Sequence, residues 1–207
     1  MNIKNTANLL INFTVKRLAE IFGIFVFFAG ILLLAALLSY SPEDPNFIFP
    51  DNTEVKNILG FRGSFISDLF FQSIGLISFM LSTTLIVTGI NIFRVKDFFL
   101  LIENTFFAIL YSLFGSLFLS HFYSDAFTLY INGNGGFIGS YLNKTFFNSL
   151  ILLNEVIFYY LLIVLNLVLY LISLNFRPLK FYKIIKKTFQ IFNKENQKNY
   201  TDKNEII

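Results

Sequence analysis

Long apolar runs alternate with short polar segments along this chain, and four of the runs are long enough to be helices that cross a bilayer. A hydrocarbon core about 30 Å thick takes roughly 20 residues of helix. The pattern predicts spans at about 18–40, 69–93, 98–120 and 150–176. Charge marks their ends. Lys16 and Arg17 precede the first, Arg94 and Lys96 follow the second, and Arg177-Pro178 stops the fourth, while Glu103 and Asn104 blur the start of the third. Pro42, Pro45, Pro50 and Pro178 all fall outside these runs, so each span is expected to be an uninterrupted helix that satisfies its own backbone. The first run is longer than the about 7–15 apolar residues of a signal peptide and no A-x-A site follows it, so it reads as an uncleaved anchor.

The expected fold is therefore an all-α integral-membrane four-helix bundle. Residues 1–17 form an N-terminal tail, 18–176 the four-span domain and 177–207 a basic tail. Lys and Arg near span ends set orientation. Lys4, Lys16 and Arg17 lie before the first span, Arg94 and Lys96 between the second and third, and eight cations after the fourth, from Arg177 to Lys203. The first intervening loop instead has Lys56 and Arg62 against Glu43, Asp44, Asp51, Glu54 and Asp68, and the second has Lys144 alone. Both termini are expected in the cytoplasm, with two extracytoplasmic loops.

Composition agrees. The 207 residues are 55% hydrophobic and 14% charged, against about 25% charged in soluble chains. The absence of Cys removes disulfides, thiolate metal sites and Cys nucleophiles. The 29 Phe accompany an abundance of Ile, Asn and Lys, the residues of A/T-rich codons, and read as filling for lipid-facing positions.

Candidate chemistry within the spans is thin. Intramembrane acids are functional candidates by default, but Glu20 follows Lys16 and Arg17 closely enough for local ion pairing. Glu103 and Glu155 lie within about two turns of a span end. Asn91, Asn154 and Asn166 suit bonds to neighbouring helices. His121, the one histidine, stands at the end of the third span and cannot build a metal site alone. Neither a catalytic constellation nor a cofactor motif is visible. Small residues form faces instead: Gly23 and Gly30; Gly75, Ser78, Ser82 and Gly89; Ala108, Ser112, Ser116 and Ser120 with Gly115. Such faces let backbones approach closely, within a bundle or between subunits.

The loops are more specific. The first opens Ser39-Tyr40-Ser41-Pro42-Glu43-Asp44-Pro45, whose prolines and acids make a rigid, hydrated exit from the membrane. Asn57-Ile-Leu-Gly-Phe-Arg-Gly-Ser64 follows, where Gly60 and Gly63 suggest a turn and Ser64 a helix cap. The second loop carries Gly133, Gly135, Gly136 and Gly139, a run that permits positive φ and close passage of another backbone. A short surface helix is expected to begin near Gly136.

These residues resemble the four-span membrane region of the FtsK/SpoIIIE family of DNA translocases. The string Leu37 to Pro45 resembles the end of that family's first membrane helix. Asn57, Gly60, Gly63, Asp68, Gln72 and Gly75 resemble its approach to the second, and the four glycines its approach to the fourth. The resemblance covers about residues 14–176. It implies an inner-membrane anchor at the division septum that helps assemble the translocase and recruits division proteins, acting in cell division and chromosome segregation. The family's hexameric ATPase motor has no counterpart here, because no G-x-x-x-x-G-K-[ST] occurs. The motor is expected to be encoded separately, or the chain to be a fragment, or the anchor to have a role of its own.

The basic tail from Phe176 to Phe192 places Leu179, Tyr182, Ile185 and Phe189 on one helical face among lysines, as suits an anionic leaflet. Direct nucleic-acid contact is not needed to explain it, and 193–207 reads as disordered. The leading reading is a non-enzymatic, self-associating scaffold whose partners are the lipid bilayer, further copies of itself, division proteins and a separate motor. The alternative is a small transporter or channel subunit, for which helices broken at midplane and converging polar groups would be expected.

Overall fold

The computed structural model describes residues 3–45, 54–124 and 132–176, with side chains from residue 8 onward. The chain divides into two units, 1–174 and 175–207. All but the first residues of the second unit, with the expected amphipathic helix and polar tail, lie outside the described residues.

The described residues form seven α-helices: α1 (Ile3–Leu38), α2 (Gly60–Ile74), α3 (Ser78–Val95), α4 (Phe99–Phe122), α5 (Gly136–Asn143), α6 (Phe146–Leu153) and α7 (Glu155–Ser173). A 3₁₀ turn, Gly75–Ile77, joins α2 to α3. Four helical stretches are long and apolar enough to cross a membrane: Asn8–Leu38, Gly60–Val95, Phe99–Phe122 and Glu155–Ser173. The protein is all-helical and built to span a bilayer.

The helix α1 begins well before Leu18. Its 36 residues correspond to about 54 Å at 1.5 Å per residue. Arg17 stacks over the Phe13 ring at 5.1 Å and bonds Glu20 at 2.6 Å, so charge sits along a continuing helix instead of ending it. Glu20 pairs on its other oxygen with Lys96 at 2.7 Å, not with Lys16. Lys96 can reach it because its backbone adopts φ 64°, ending α3 in a left-handed cap. That one carboxylate ties the first half of α1 to the turn before α4.

Between these ties the helices alternate in direction. The α1–α3 seam is set by glycine. A Cβ on Gly23 would come within 2.6 Å of the Phe93 nitrogen, and one on Gly89 within 2.4 Å of the Phe27 nitrogen. Only bare backbone permits that approach. Polar groups join α3, α4 and α7. Thr84 Oγ1 lies 2.9 Å from the Tyr111 hydroxyl and 3.3 Å from Ser173 Oγ. Thr83 Oγ1 lies 2.7 Å from the Tyr170 hydroxyl, and Asn104 Nδ2 donates to Thr88 Oγ1 at 2.8 Å. Thr84, Thr88, Asn104, Tyr111 and Ser173 are all buried. Asn104, which blurs the third span in the sequence, is thus an internal strut.

Two expected spans are not continuous. The second starts at Gly60 and breaks at Gly75, where φ is +63°. The fourth divides at Asn154, whose extended backbone ends α6 while its side chain accepts from the Ile157 N–H to start α7. The approach to it is two short helices, α5 and α6, with Thr145 accepting from the Phe147 N–H at the start of α6. Asn91 reaches the Leu174 carbonyl, a neighbouring segment. Asn166 instead bonds Leu162 of its own helix while its Oδ1 faces Gly115 of α4, and Asn154 caps its own helix, so neither bonds a neighbouring helix.

Candidate loop-junction site

The end of α1 and the start of α2 meet in one set of polar contacts, and the entry to α5 meets the end of α2 in another. Ser39 Oγ donates to Ala35 O at 2.7 Å and accepts from the Ile58 N–H at 3.2 Å. Asp44 is buried, and its two oxygens accept from the backbone N–H groups of Lys56, at 2.8 Å, and Asn57, at 2.9 Å. A buried carboxylate needs such donors, because burial without them is expensive. Asn57 Nδ2 then donates to Ala36 O at 2.9 Å, while its Oδ1 accepts from Leu59 N at 3.1 Å. Ser64 is not a helix cap. It lies inside α2 and donates to Pro45 O at 3.0 Å, pinning the proline end of the motif.

Glu43 and Lys56 form an exposed ion pair above Asp44. The Lys56 hydrogen bond holds the Glu43 carboxyl below the usual carboxylate range, and Glu43 in turn raises Lys56. Tyr40 donates to Asp68 Oδ1 at 3.2 Å and packs on the Phe71 ring. Burial first, then the Asp68 carboxylate, push the Tyr40 phenol above its ordinary value, so it stays a protonated donor. Ser41 accepts from Asp44 N in a turn that leaves Pro42 and Glu43 exposed.

The glycine loop locks onto the other end of α2. Asn132 Nδ2 donates to the Gln72 side chain at 2.9 Å, and Leu76 N donates to Asn134 O at 3.0 Å. Asn134 Nδ2 donates in turn to the Tyr123 carbonyl. A Cβ on Gly75 would lie 1.9 Å from Asn134 O, and one on Gly136 2.6 Å from the Ser73 carbonyl carbon. Gly135 and Gly139 both face the Ser116 carbonyl, and Ser116 Oγ donates to Ile74 O at 3.0 Å. Gly63 is helical and lies against Asn57, whereas Gly60 and Gly133 take positive φ with open space around them.

Three stretches noted separately in the sequence, Ser39–Pro45, Gly60–Gly75 and Gly133–Gly139, thus form one surface with a hydrogen-bonded interior. Ser116 and Asn134 are the members that sequence reasoning passed over. Ser116 looked like part of a packing face, and Asn134 was hidden in a turn-forming run. His121 bonds Asn143 Oδ1 at 2.9 Å, beside this surface, and Glu103 and Glu155 are exposed. Among the described residues no group of three or more His, Cys, Asp or Glu is arranged to hold a metal.

The fold and this junction define a multi-pass helical membrane domain with interlocked loops. Residues 15–186 match the family described as the 4TM region of DNA translocase FtsK/SpoIIIE, and the chain belongs to that family. It is 33% identical over 86 residues to a DNA translocase FtsK of Rhizobium meliloti, covering 38% of this chain and 10% of that protein. It is 27% identical over 158 residues to a DNA translocase FtsK of Rickettsia typhi, covering 75% of this chain and 20% of that protein. The chain thus matches a fifth or less of the length of these curated relatives. No solved structure matches it.

Proposed function

We propose that this chain is the membrane anchor and scaffold of an FtsK-like DNA translocase, set in the inner membrane with both termini in the cytoplasm. It acts at the division septum through self-association and recruitment of division proteins, and carries no motor chemistry of its own. The family match over residues 15–186 is the observation that carries this reading. The distribution of Lys and Arg favours the stated orientation. The junction surface suits a docking role, because Asp44, Asn57 and Ser64 hold its backbone in one conformation before any partner arrives.

The broken helix at Gly75–Ile77 is the feature a transporter reading would claim. One of its freed backbone donors, Leu76 N, is taken up by Asn134 O, so the break is packed against the glycine loop. The test is imaging of a functional C-terminal fluorescent fusion in dividing cells. A band at mid-cell during constriction is expected. Uniform membrane labelling would refute the septal role.

A further inference from the structure

A groove of about 510 Å³ opens between α1, α2 and α3. Its walls are apolar: Ala29, Leu32 and Ala36 from α1, Ile66 and Phe70 from α2, and Leu85 from α3. All six belong to the stretches long and apolar enough to cross a membrane. One charge stands on its rim, Arg62, a single turn into α2 and next to the loop that carries Asn57 and Leu59. The other cation of that loop, Lys56, is engaged by Glu43. Among the described residues Arg62 forms no salt bridge and is exposed. The groove is therefore amphiphilic along its length, with a guanidinium at the hydrated end and hydrocarbon below.

We propose that this groove holds an acyl chain of a membrane phospholipid whose phosphate sits on Arg62. The groove falls within the about 300–1,000 Å³ of small-molecule sites, the scale of a lipid acyl chain. Charge decides for a phosphate. A guanidinium binds it through paired N–H donors at the hydrated end of the groove. Small residues shape the cavity: Ala29 and Ala36 on α1 withhold the side-chain bulk that would close it.

The test uses the full chain reconstituted in phosphatidylglycerol–phosphatidylethanolamine bilayers with a trace of phospholipid bearing a diazirine in one acyl chain. Photo-adducts are mapped by mass spectrometry. Adducts are expected to concentrate on Leu32, Ile66 and Phe70 relative to Val164, an exposed residue of α7 that reports ordinary bilayer contact. Arg62→Gln should lower groove labelling about tenfold with Val164 labelling unchanged, as for loss of a charge-assisted contact. Ile66→Trp, which fills the groove from an exposed position, should abolish it. Groove labelling no greater than at Val164, or indifferent to Arg62→Gln, overturns the proposal. So does efficient Leu32→Cys cross-linking between copies, which would put a second chain where the lipid belongs.

Discussion

Asp44 is accommodated in a buried position because the backbone N–H groups of Lys56 and Asn57 reach its two oxygens at 2.8 and 2.9 Å. Asp44→Ala removes both acceptors and leaves two donors without partners. It is expected to cost about 3 kcal/mol, and Asp44→Asn, which keeps one acceptor, about half as much. Thermal unfolding of the purified chain in one detergent reads both, and equal stability of all three proteins would contradict the assignment. The acid itself is visible in the sequence as part of the Tyr-Ser-Pro-Glu-Asp-Pro string. Its partners are not, because they are main-chain groups 12 and 13 residues away with no side-chain signature. Ser64 misleads for the opposite reason. A serine after glycine suggests a cap, but the hydroxyl serves a carbonyl from another segment.

At the scale of elements, the break between α2 and α3 depends on Gly75. Its φ of +63° is strained for any side chain, and a Cβ would strike Asn134 O at 1.9 Å. Gly133 has a similar φ of +71° but open space. Gly133→Ala is therefore expected to cost only about 1–2 kcal/mol of backbone strain. Gly75→Ala should separate the glycine loop from α2, seen as new protease cleavage near residues 132–140 under conditions where Gly133→Ala stays protected. The first and third spans are legible from apolar length alone. The helix α2 is not, since Arg62, Ser64, Ser67 and Asp68 interrupt the apolar run. Three of these polar residues turn inward to Pro45, Ser64 and Tyr40, which a hydropathy window does not anticipate. The α6–α7 break is missed because one asparagine makes it within an otherwise apolar stretch.

Within residues 3–174, two polar clusters flank the helix seams. The loop junction closes one end, and the Arg17–Glu20–Lys96 cluster closes the other. Between them α7 is the most peripheral span, with only 17% of its apolar window buried. Its hold on the bundle therefore leans on specific bonds more than on enclosed area. Thr84→Val, close in shape, strands the buried Tyr111 hydroxyl and loosens Ser173. A loss of about 1 kcal/mol is expected, the scale of interhelical bonds in membranes. The difference in unfolding midpoint between Thr84→Val and the unsubstituted chain measures it, and no difference would mean that the Thr84 bonds add nothing to the hold on α7.

Those same bonds would be the first to feel a load applied at the C-terminal end of α7. A pull on the polypeptide beyond residue 176 enters the bundle through the last turn of α7, where Tyr170 and Ser173 meet Thr83 and Thr84. Both bonds join α7 to α3, so displacement of that turn would strain them before the rest of the helix could leave its seat. Traction is handed sideways into α3 and, through Tyr111, into α4, and the thinnest-seated helix becomes a mooring point.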